Sequence, residues 1–324
     1  MPVGSCYGTV PMAGFLVLLV AMSFAVSLVA TLVMRRLSHR MGLVDHPGER
    51  KVHARPTPSG GGVAIFLGAA VIWGVGLADD RRGLSAWGRL VVQILVALFL
   101  LWNGMGISIF IESGLVRGVV TVVWIVALIN AFNMLDNMDG LSAGVGLIIA
   151  AVFSIVAVQT GQLFMAAFLC CLIGALGGFL VYNFPPAGIF MGDSGGTLLG
   201  YLLAVTTVLF TFYQPERPYF PIVVPLMIFG LPLFDMITVI WIRVRSGRNP
   251  LKGDTNHFSH RLVALGMTPR QAVLTIYLVT ATVGLGATVL YYARPFAILV
   301  IFAQAVAMFT IIGILERARP QKAP

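Results

Sequence analysis

The sequence has few charged residues, and few of those are acidic. Of 324 residues only 10% are charged, against about 25% in a typical soluble domain, and twelve are Asp or Glu. Three Cys cannot form a disulfide framework, and Cys170 and Cys171 lie in an apolar run. The scarcity of charge argues against a soluble enzyme, a nucleic-acid-binding protein and a disordered chain. Hydrophobic residues make up 58% instead, and the mean hydropathy is +0.94.

Long apolar runs account for this composition. A bilayer-spanning helix needs about 20 apolar residues, and nine runs of that kind predict an all-α, polytopic membrane protein with one domain over residues 1–324. The first run lacks a preceding basic segment and is followed by Arg35, Arg36 and Arg40, which favours an anchored span over a signal peptide. The nine runs lie near residues 10–34, 90–111, 115–135, 141–160, 163–182, 196–213, 219–242, 271–292 and 295–315.

The distribution of Lys and Arg predicts the orientation. With the N-terminus outside, 18 of the 21 Lys and Arg lie on cytoplasmic loops or the C-terminal tail. The exceptions are Arg117, Arg217 and Arg294, and all five His share the cytoplasmic side. The net charge of +9 is therefore explained by membrane orientation, with no nucleic-acid partner. The C-terminus is predicted to be cytoplasmic.

One apolar segment, residues 63–77, does not fit this alternation. Both of its flanks are basic, and fifteen residues are too few to cross the bilayer and return. We interpret it as a short re-entrant or broken element, which is tolerated at membrane depth when it lines a protein cavity. The other explanation is that one flank lies on the opposite side.

Half of the acidic residues lie at predicted cytoplasmic helix ends or loops. An ionisable group at a membrane boundary is costly unless it is paired, hydrated or bound to a metal, although acids near Lys and Arg can also be plain solvated charges. The adjacent Asp79 and Asp80 repel one another unless a cation lies close, which suits a general base or an acid near a metal. The six are Asp79, Asp80, Asp136, Asp139, Asp193 and Asp254.

The most informative stretch, N-A-F-N-M-L-D-N-M-D-G-L, begins at Asn130. Its polar residues are spaced by three, so Asn133, Asp136 and Asp139 are predicted to share one polar arc at the cytoplasmic end of an apolar helix. Asn130 lies one turn deeper, and Gly140 can end or bend the helix. Carboxylate and amide oxygens suit Mg²⁺, which commonly shares its shell with substrate phosphates.

Three further segments on the same side carry polar residues. The small-residue loop around Asp193, which follows Asn183 and two prolines, lets backbone N–H groups and a carboxylate approach a ligand, or is an ordinary turn. In D-T-N-H-F-S-H-R-L a zinc site is conceivable, but phosphate fits better because Arg and His donate to phosphate oxygens. The loop around Lys51 and His53 is basic and rich in Pro and Gly, and could equally be a positive-inside anchor. The phosphate-binding candidates are His257, His260 and Arg261.

Together these residues predict a cytoplasmic-face pocket with Mg²⁺, or Mn²⁺ as an alternative. Such a pocket suits diphosphate chemistry between one water-soluble and one lipid-borne substrate. The competing hypothesis is a transporter or non-catalytic lipid-binding protein on the same scaffold. Transporters place ionisable groups near the midplane, and Asp235 is the one acid within a span. It either lines the pocket or forms a hydrogen bond with a neighbouring helix.

Five motifs in order resemble the polyprenyl-phosphate N-acetylhexosamine-1-phosphate transferase superfamily, which is glycosyltransferase family 4. They are R-K-x-H-x-x-P-T-P, the D-D pair, N-x-x-N-x-x-D-x-x-D-G-L, F-M-G-D-S-G and H-x-x-H-R-L, and they run from Arg50 to Leu262. The P-T-P loop and the H-R-L ending are more similar to the branch that transfers GlcNAc-1-phosphate to undecaprenyl phosphate than to the pentapeptide branch.

The resemblance implies a reaction in which polyprenyl phosphate attacks the β-phosphorus of a UDP-sugar and UMP leaves. It implies a multi-pass protein of the cell membrane with its active site facing the cytoplasm, in cell-envelope polysaccharide synthesis, with a homodimer as an open alternative to the monomer. By analogy Asp79 positions or deprotonates the lipid phosphate, and Asp193 with Asp80 holds the metal. The remaining residues organise the nucleotide, sugar and phosphates: Lys51, His53, Asn130, Asn133, Asp136, Asp139, Asn183, His257, His260 and Arg261.

The sequence departs from the family pattern at several positions. Ser59, Asn137 and Ser259 replace a common Arg, a common Gly and the middle residue of a three-His cluster. These bear on the identity of the sugar donor more than on the reaction. Nine spans and the short 63–77 segment stand where the family usually has eleven spans, which bears on the geometry around Asp79.

Overall fold

The computed structural model describes residues 9–40, 61–107, 113–210, 220–251, 256–290, 293 and 295–315. Helices account for most of this part of the chain, which contains no β-strand. The twelve helices are α1 (Thr9–Arg40), α2 (Gly61–Arg82), α3 (Ala86–Trp102), α4 (Gly114–Leu135), α5 (Leu141–Gln159), α6 (Leu163–Asn183), α7 (Gly192–Leu209), α8 (Phe220–Ile228), α9 (Gly230–Arg245), α10 (Phe258–Ala264), α11 (Pro269–Leu290) and α12 (Pro295–Leu315).

Each of the nine predicted spans corresponds to helix in the structure, which confirms an all-α, multi-pass membrane protein. Five helices are long and apolar enough to cross a bilayer on length and composition alone: α4, α5, α6, α11 and α12. Large apolar side chains on the outer surface, such as Trp102, Leu115 and Phe164, are exposed in the protein itself, as lipid-facing residues must be.

The predicted span near 219–242 is two helices, α8 and α9. Pro225 lies inside α8, and Pro lacks the backbone N–H that continues a helix. Phe229 separates the two helices with φ −93° and ψ 10°. Its ring is the centre of an aromatic cluster, with centroids 6.1 Å from Trp124, 6.3 Å from Phe132 and 5.7 Å from Phe153. The break therefore places a large ring in the core.

The structure corrects the interpretation of residues 63–77. They belong to the continuous 22-residue helix α2, so the element is not broken, and this helix runs past the apolar segment to the acidic pair and Arg82. At 1.5 Å per residue this helix is about 33 Å long, enough to span a bilayer. The prediction failed because it counted only apolar residues, whereas the helix also includes the glycines before the run and the charged turn after it.

Contacts between helices define two ends of the bundle. Helix α2 runs antiparallel to α7, because Ile65 accepts a hydrogen bond from Tyr201 at one end and Asp80 contacts Asp193 at the other. Helix α1 instead runs parallel to α6, with Val20 beside Gly174 and Leu28 beside Gly178. Since α6 also ends where α7 begins, α1 and α2 both run towards the same end. We call this end the site face and the other end the far face.

Candidate active site

Asp79 and Asp193 converge on one guanidinium at the site face. Asp79 lies in the last turn of α2, and Asp193 lies in the first turn of α7; each is only 6% exposed. Arg89, in the first turn of α3, donates from Nη1 to Asp79 Oδ2, and the same nitrogen lies 3.5 Å from Asp193 Oδ2. Leu84 N–H also donates to Asp79 Oδ1, at 2.6 Å. Carboxylates from two distant parts of the chain thus lie on either side of one cationic group, the guanidinium of Arg89.

Asp80 has a different environment from its neighbour Asp79. Its two carboxylate oxygens accept from the backbone N–H groups of Asp193 and Ser194, the latter at 2.8 Å. This is the position of an anion at a helix N-terminus, where unpaired N–H groups and the helix dipole favour negative charge. Asp80 therefore caps α7 from α2, and the predicted role as a metal ligand competes with this capping.

Two glycines allow α2 and α7 to come this close. A Cβ on Gly76 would lie 2.6 Å from Ser194 Cα, which is backbone and cannot move aside. Gly192 has φ +66°, a conformation that favours glycine, and a Cβ there would lie 3.2 Å from both oxygens of Asp80. Gly192, in the small-residue loop before Asp193, therefore allows Asp80 of α2 to come close, while the approach of a ligand to this loop stays a prediction.

The turn between α4 and α5 lies at the same face, and here the structure changes one prediction. Helix α4 ends at Leu135 and Asp136 is its C-cap, so Asp139 lies in the turn and does not share a helical arc with Asn133. Gly140, at φ +72°, precedes α5. The helix ends because Asp136 and Gly140 adopt non-helical conformations. Asn133 remains on α4, 5% exposed, and its Oδ1 is buried without a hydrogen bond in the described part of the chain.

Asn183 and Asp139 tie this turn to the loop before α7. Asn183 Oδ1 accepts from Gly140 N–H at 3.1 Å, and its Nδ2 donates to Ile189 at 2.8 Å. Asp139 Oδ2 accepts from Ala187 N–H at 3.0 Å. These bonds place the turn next to the loop that leads to Asp193. Asn183 thus forms hydrogen bonds with backbone groups, and its position near the nucleotide, which the family resemblance implies, stays a prediction.

Helix α10 brings the histidines to the same region. His257 is fully buried and its Nδ1 lies 2.9 Å from Asp235 Oδ2, while Ser259 donates to the side chain of Asn137 in the α4–α5 turn. Burial lowers the pKa of the half-buried His260, and the neighbouring His257 ring lowers it further. Arg261 donates to Asn256 and lies 3.2 Å from the Thr238 hydroxyl.

Asp235 thus forms a hydrogen bond with a neighbouring element, the second of the two alternatives. Its partner belongs to the group of residues at the site face, which removes the one feature that favoured a transporter. Asn130 points elsewhere: its amide donates to Gln93 of α3 at 2.7 Å, which makes it an interhelical contact. Lys51 and His53, together with Asp254, lie outside the described residues.

Sequence reasoning missed Arg89 and Gln93. Arg89 was counted only as one of the cytoplasmic basic residues, although it follows Asp79 by ten residues across a short turn. Gln93 is 5% exposed and was hidden within an apolar run. A polar residue within an apolar run, close in sequence to an acidic pair, was the signal that could have identified it.

These oxygen donors fit a hard metal ion whose remaining ligands come from water and the substrate. Asp79 and Asp193 supply two buried carboxylates, and Asn133 Oδ1 is a further buried oxygen. Within the described ranges no three His, Cys, Asp or Glu side chains are grouped closely enough to enclose a metal by themselves. Mg²⁺ usually keeps water and takes phosphate oxygens as ligands, so two carboxylates satisfy its protein share.

The fold and the site define a multi-pass membrane protein in which charged and amide side chains from seven helices lie at one end of the bundle. Residues 63–211 match the family model described as Glycosyl transferase family 4. The chain is 32% identical to the probable undecaprenyl-phosphate N-acetylglucosaminyl 1-phosphate transferase of Bacillus subtilis, over 90% of this chain and 92% of the relative. It therefore belongs to glycosyl transferase family 4.

Two further relatives are similar to this chain over most of its length. It is 34% identical to the decaprenyl-phosphate N-acetylglucosaminephosphotransferase of Mycobacterium tuberculosis, over 89% of this chain and 86% of the relative. It is 28% identical to the undecaprenyl-phosphate alpha-N-acetylglucosaminyl 1-phosphate transferase of Escherichia coli K12, over 85% and 84%. The resemblance stated from the five motifs is thereby confirmed at the level of the family.

Proposed function

We propose that this protein transfers GlcNAc-1-phosphate, or a related N-acetylhexosamine-1-phosphate, from a UDP-sugar to polyprenyl phosphate. The convergence of Asp79, Arg89 and Asp193 at the end of a membrane bundle carries the proposal. An acidic pair beside a guanidinium suits a reaction between two phosphates, in which catalysis consists mainly of charge neutralisation and positioning. The choice of polyprenyl phosphate as the lipid and of N-acetylglucosamine as the sugar comes from the names of the relatives.

In the proposed reaction an oxygen of the lipid phosphate attacks the β-phosphorus of the UDP-sugar. A new P–O bond forms there as the bond to the UMP oxygen breaks, so UMP leaves and a lipid diphosphate sugar remains. Asp79 orients the attacking phosphate or accepts its proton. Arg89 would transfer its hydrogen bonds from the two carboxylates to phosphate oxygens.

Mg²⁺ is the proposed cofactor, with Mn²⁺ as the alternative, and Asp193 with Asp79 would hold it. The ion would supply charge neutralisation on the diphosphate oxygens. Asn133 would orient the nucleotide or metal through its buried Oδ1, together with Asp136, the C-cap of the same helix. His257, His260 and Arg261 are placed to bind phosphates or the sugar. Asp80 contributes by fixing the start of α7.

The sidedness follows from the charges. Because 18 of the 21 Lys and Arg lie on the predicted cytoplasmic side, we place the site face at the cytoplasm and the N-terminus outside, in the cell membrane. A nucleotide sugar is available there, and the lipid phosphate reaches the same boundary. Whether the enzyme works as a homodimer, as the sequence-based alternative has it, is answered by the mass of the purified particle.

The test is release of UMP by the purified protein, with a panel of UDP-sugars and with undecaprenyl phosphate. We expect Mg²⁺-dependent UMP release only when the lipid phosphate is present. Asp79→Asn and Asp193→Asn should each lower turnover by at least about 100-fold while the melting temperature in detergent stays near that of the wild type. UMP release at the wild-type rate by both variants contradicts the proposed site.

A further inference from the structure

Asp235 and His257 form a buried pair, and the proposed reaction gives no role to Asp235. The side chains are 2% and 0% exposed, and His257 Nδ1 lies 2.9 Å from Asp235 Oδ2. The other carboxylate oxygen, Oδ1, accepts from Phe258 N–H at 2.6 Å. One carboxylate on α9 thus holds both the imidazole and the first backbone amide of α10.

This arrangement fixes which ring nitrogen carries a proton. A carboxylate only accepts hydrogen bonds, so Nδ1 must be the donor in this contact. The second nitrogen, Nε2, is buried and makes no hydrogen bond to any residue in the described ranges. Buried polar atoms rarely lack a partner, so an unsatisfied Nε2 at the site face points to a ligand atom.

The surroundings of the imidazole favour an anion as that ligand. The ring of His260 lies 6.4 Å from that of His257, and Arg261 is one turn further along α10. Ser259 anchors this helix to Asn137, within the turn that carries Asp136 and Asp139. Among the described residues, the charged and titratable groups that we identify beside His257 are Asp235 on α9, with His260 and Arg261 on α10. The guanidinium of Arg261 and an N–H donor of His260 suit a phosphate.

We propose that Asp235 is a positioning residue for the transfer reaction. It keeps a proton on His257 Nδ1 and fixes the ring, so that Nε2, when it also carries a proton, donates to a phosphate oxygen of the substrate. The proposal rests on the proposed function for the identity of that phosphate. The paired carboxylate does for this imidazole what a carboxylate does wherever it orients a histidine: it sets which ring nitrogen carries the proton.

The variant Asp235→Asn separates positioning from tethering. The amide oxygen can still accept from Phe258 N–H, so α10 stays attached to α9. The amide nitrogen then faces Nδ1 as a donor, which moves the imidazole proton to Nε2, and the negative charge beside the ring is lost. Thr280→Val is a matched control, because Thr280 is buried in α11 and its hydroxyl donates only to its own helix, at Ile276.

Nitrogen-15 NMR of histidine-labelled protein reads the tautomer directly. The His257 signals are assigned by their loss in His257→Gln. We expect Nδ1 to carry the proton in the wild type and in Thr280→Val, and the nitrogen shifts of His257 to change in Asp235→Asn. A wild-type spectrum with the proton on Nε2 alone, or one that Asp235→Asn leaves unchanged, overturns the proposal.

Kinetics supply the second readout. We expect Asp235→Asn to lower kcat roughly tenfold in the wild-type background, because a neutral ring with its proton on Nε2 donates a weaker hydrogen bond to phosphate than a charged ring does, and less than about threefold in a His257→Ala background. Equal losses in both backgrounds mean that Asp235 acts independently of His257, which overturns the proposal. If the wild-type protein releases no UMP with any donor, the proposed function fails. The NMR spectra then still show whether Asp235 sets the position of the proton on His257.

Discussion

Asn183 joins two loops of the candidate site through a single side chain. Replacing it by Ala removes the acceptor for Gly140 N–H and the donor to Ile189, and leaves those backbone groups unpaired. Each unsatisfied group costs about 1–3 kcal/mol, so we expect Asn183→Ala to lower the melting temperature in detergent clearly. The KM for the UDP-sugar should rise, because the turn that holds Asp139 loses its support.

Asn183→Asp is the control for this experiment, since it keeps the acceptor for Gly140 N–H and loses only the donor. It should lie between the wild type and Asn183→Ala in melting temperature. If Asn183→Ala raises KM without any loss of stability, the side chain binds the nucleotide directly, as the family resemblance implies.

Spacing alone predicted which residues gather at the site face, but not which way each side chain turns. Asp79, Asp193 and His257 lie at one end of the bundle because each stands at a helix end on the basic side. Asn130 and Asn183 come from the same motifs, yet their amides bond to Gln93 and to backbone groups. An amide both donates and accepts, so a local partner can satisfy it, and local sequence does not show that partner.

The start of α7 depends on a carboxylate supplied by another helix. Asp80→Ala removes the acceptor for two N–H groups, and loss of a helix cap costs about 0.5–2 kcal/mol. We expect lower thermal stability together with lower kcat, because Asp193 sits in that first turn. Asp80→Asn retains one acceptor oxygen and should recover part of both. The measurements are melting temperature and UMP release.

Asp80 caps α7 in the structure and was predicted to bind the metal, and the dependence of stability and activity on Mg²⁺ distinguishes these two roles. A capping residue changes stability in EDTA as much as in Mg²⁺, whereas a metal ligand changes the concentration of Mg²⁺ that gives half-maximal activity. A shift of that concentration by tenfold or more in Asp80→Asn, with unchanged stability, would establish Asp80 as a ligand.

The contact between α2 and α7 predicts opposite effects for two glycines of one helix. Gly→Ala in a helix interior gains up to about 1 kcal/mol where space allows, and Gly74 has no atom within 4 Å of an added Cβ. At Gly76 the same methyl meets Ser194 Cα at 2.6 Å and Asp193 O at 2.8 Å. We therefore expect Gly74→Ala to keep or raise the melting temperature and Gly76→Ala to lower both stability and UMP release.

At the element scale, hydropathy predicted the spans well because lipid-facing helices must be apolar throughout. It missed the break between α8 and α9, although Pro225 and Pro232 stood in the run, since prolines are tolerated in membrane helices. Hydropathy also predicted too short a segment for α2. The final turn of α2 is charged, and it lies next to Asp193 and Arg89 instead of lipid. The helix continues wherever other helices satisfy its polar residues.

Across the whole molecule, the direction of α2 is where the charge pattern and the structure disagree. The predicted cytoplasmic loop extends to residue 61, yet α2 begins at the far face and ends at the site face with Asp79 and Asp80. Its start and end are separated by about 30 Å, the thickness of the hydrocarbon core. Accessibility of single cysteines in intact cells distinguishes a start of α2 outside the cell from the cytoplasmic start that the charge pattern predicts. Cys6, Cys170 and Cys171 are first replaced by Ala.

Four single-cysteine variants make this comparison with a membrane-impermeant maleimide. Ser246→Cys, at the site-face end of α9, should react only after permeabilisation, and Ser113→Cys, at the far-face start of α4, should react in intact cells. We expect Arg82→Cys to behave like position 246 and Gly62→Cys to behave like position 113, because α2 crosses the membrane once. If Gly62→Cys is protected while the other three behave as stated, α2 does not span the bilayer and the re-entrant interpretation of residues 63–77 holds instead.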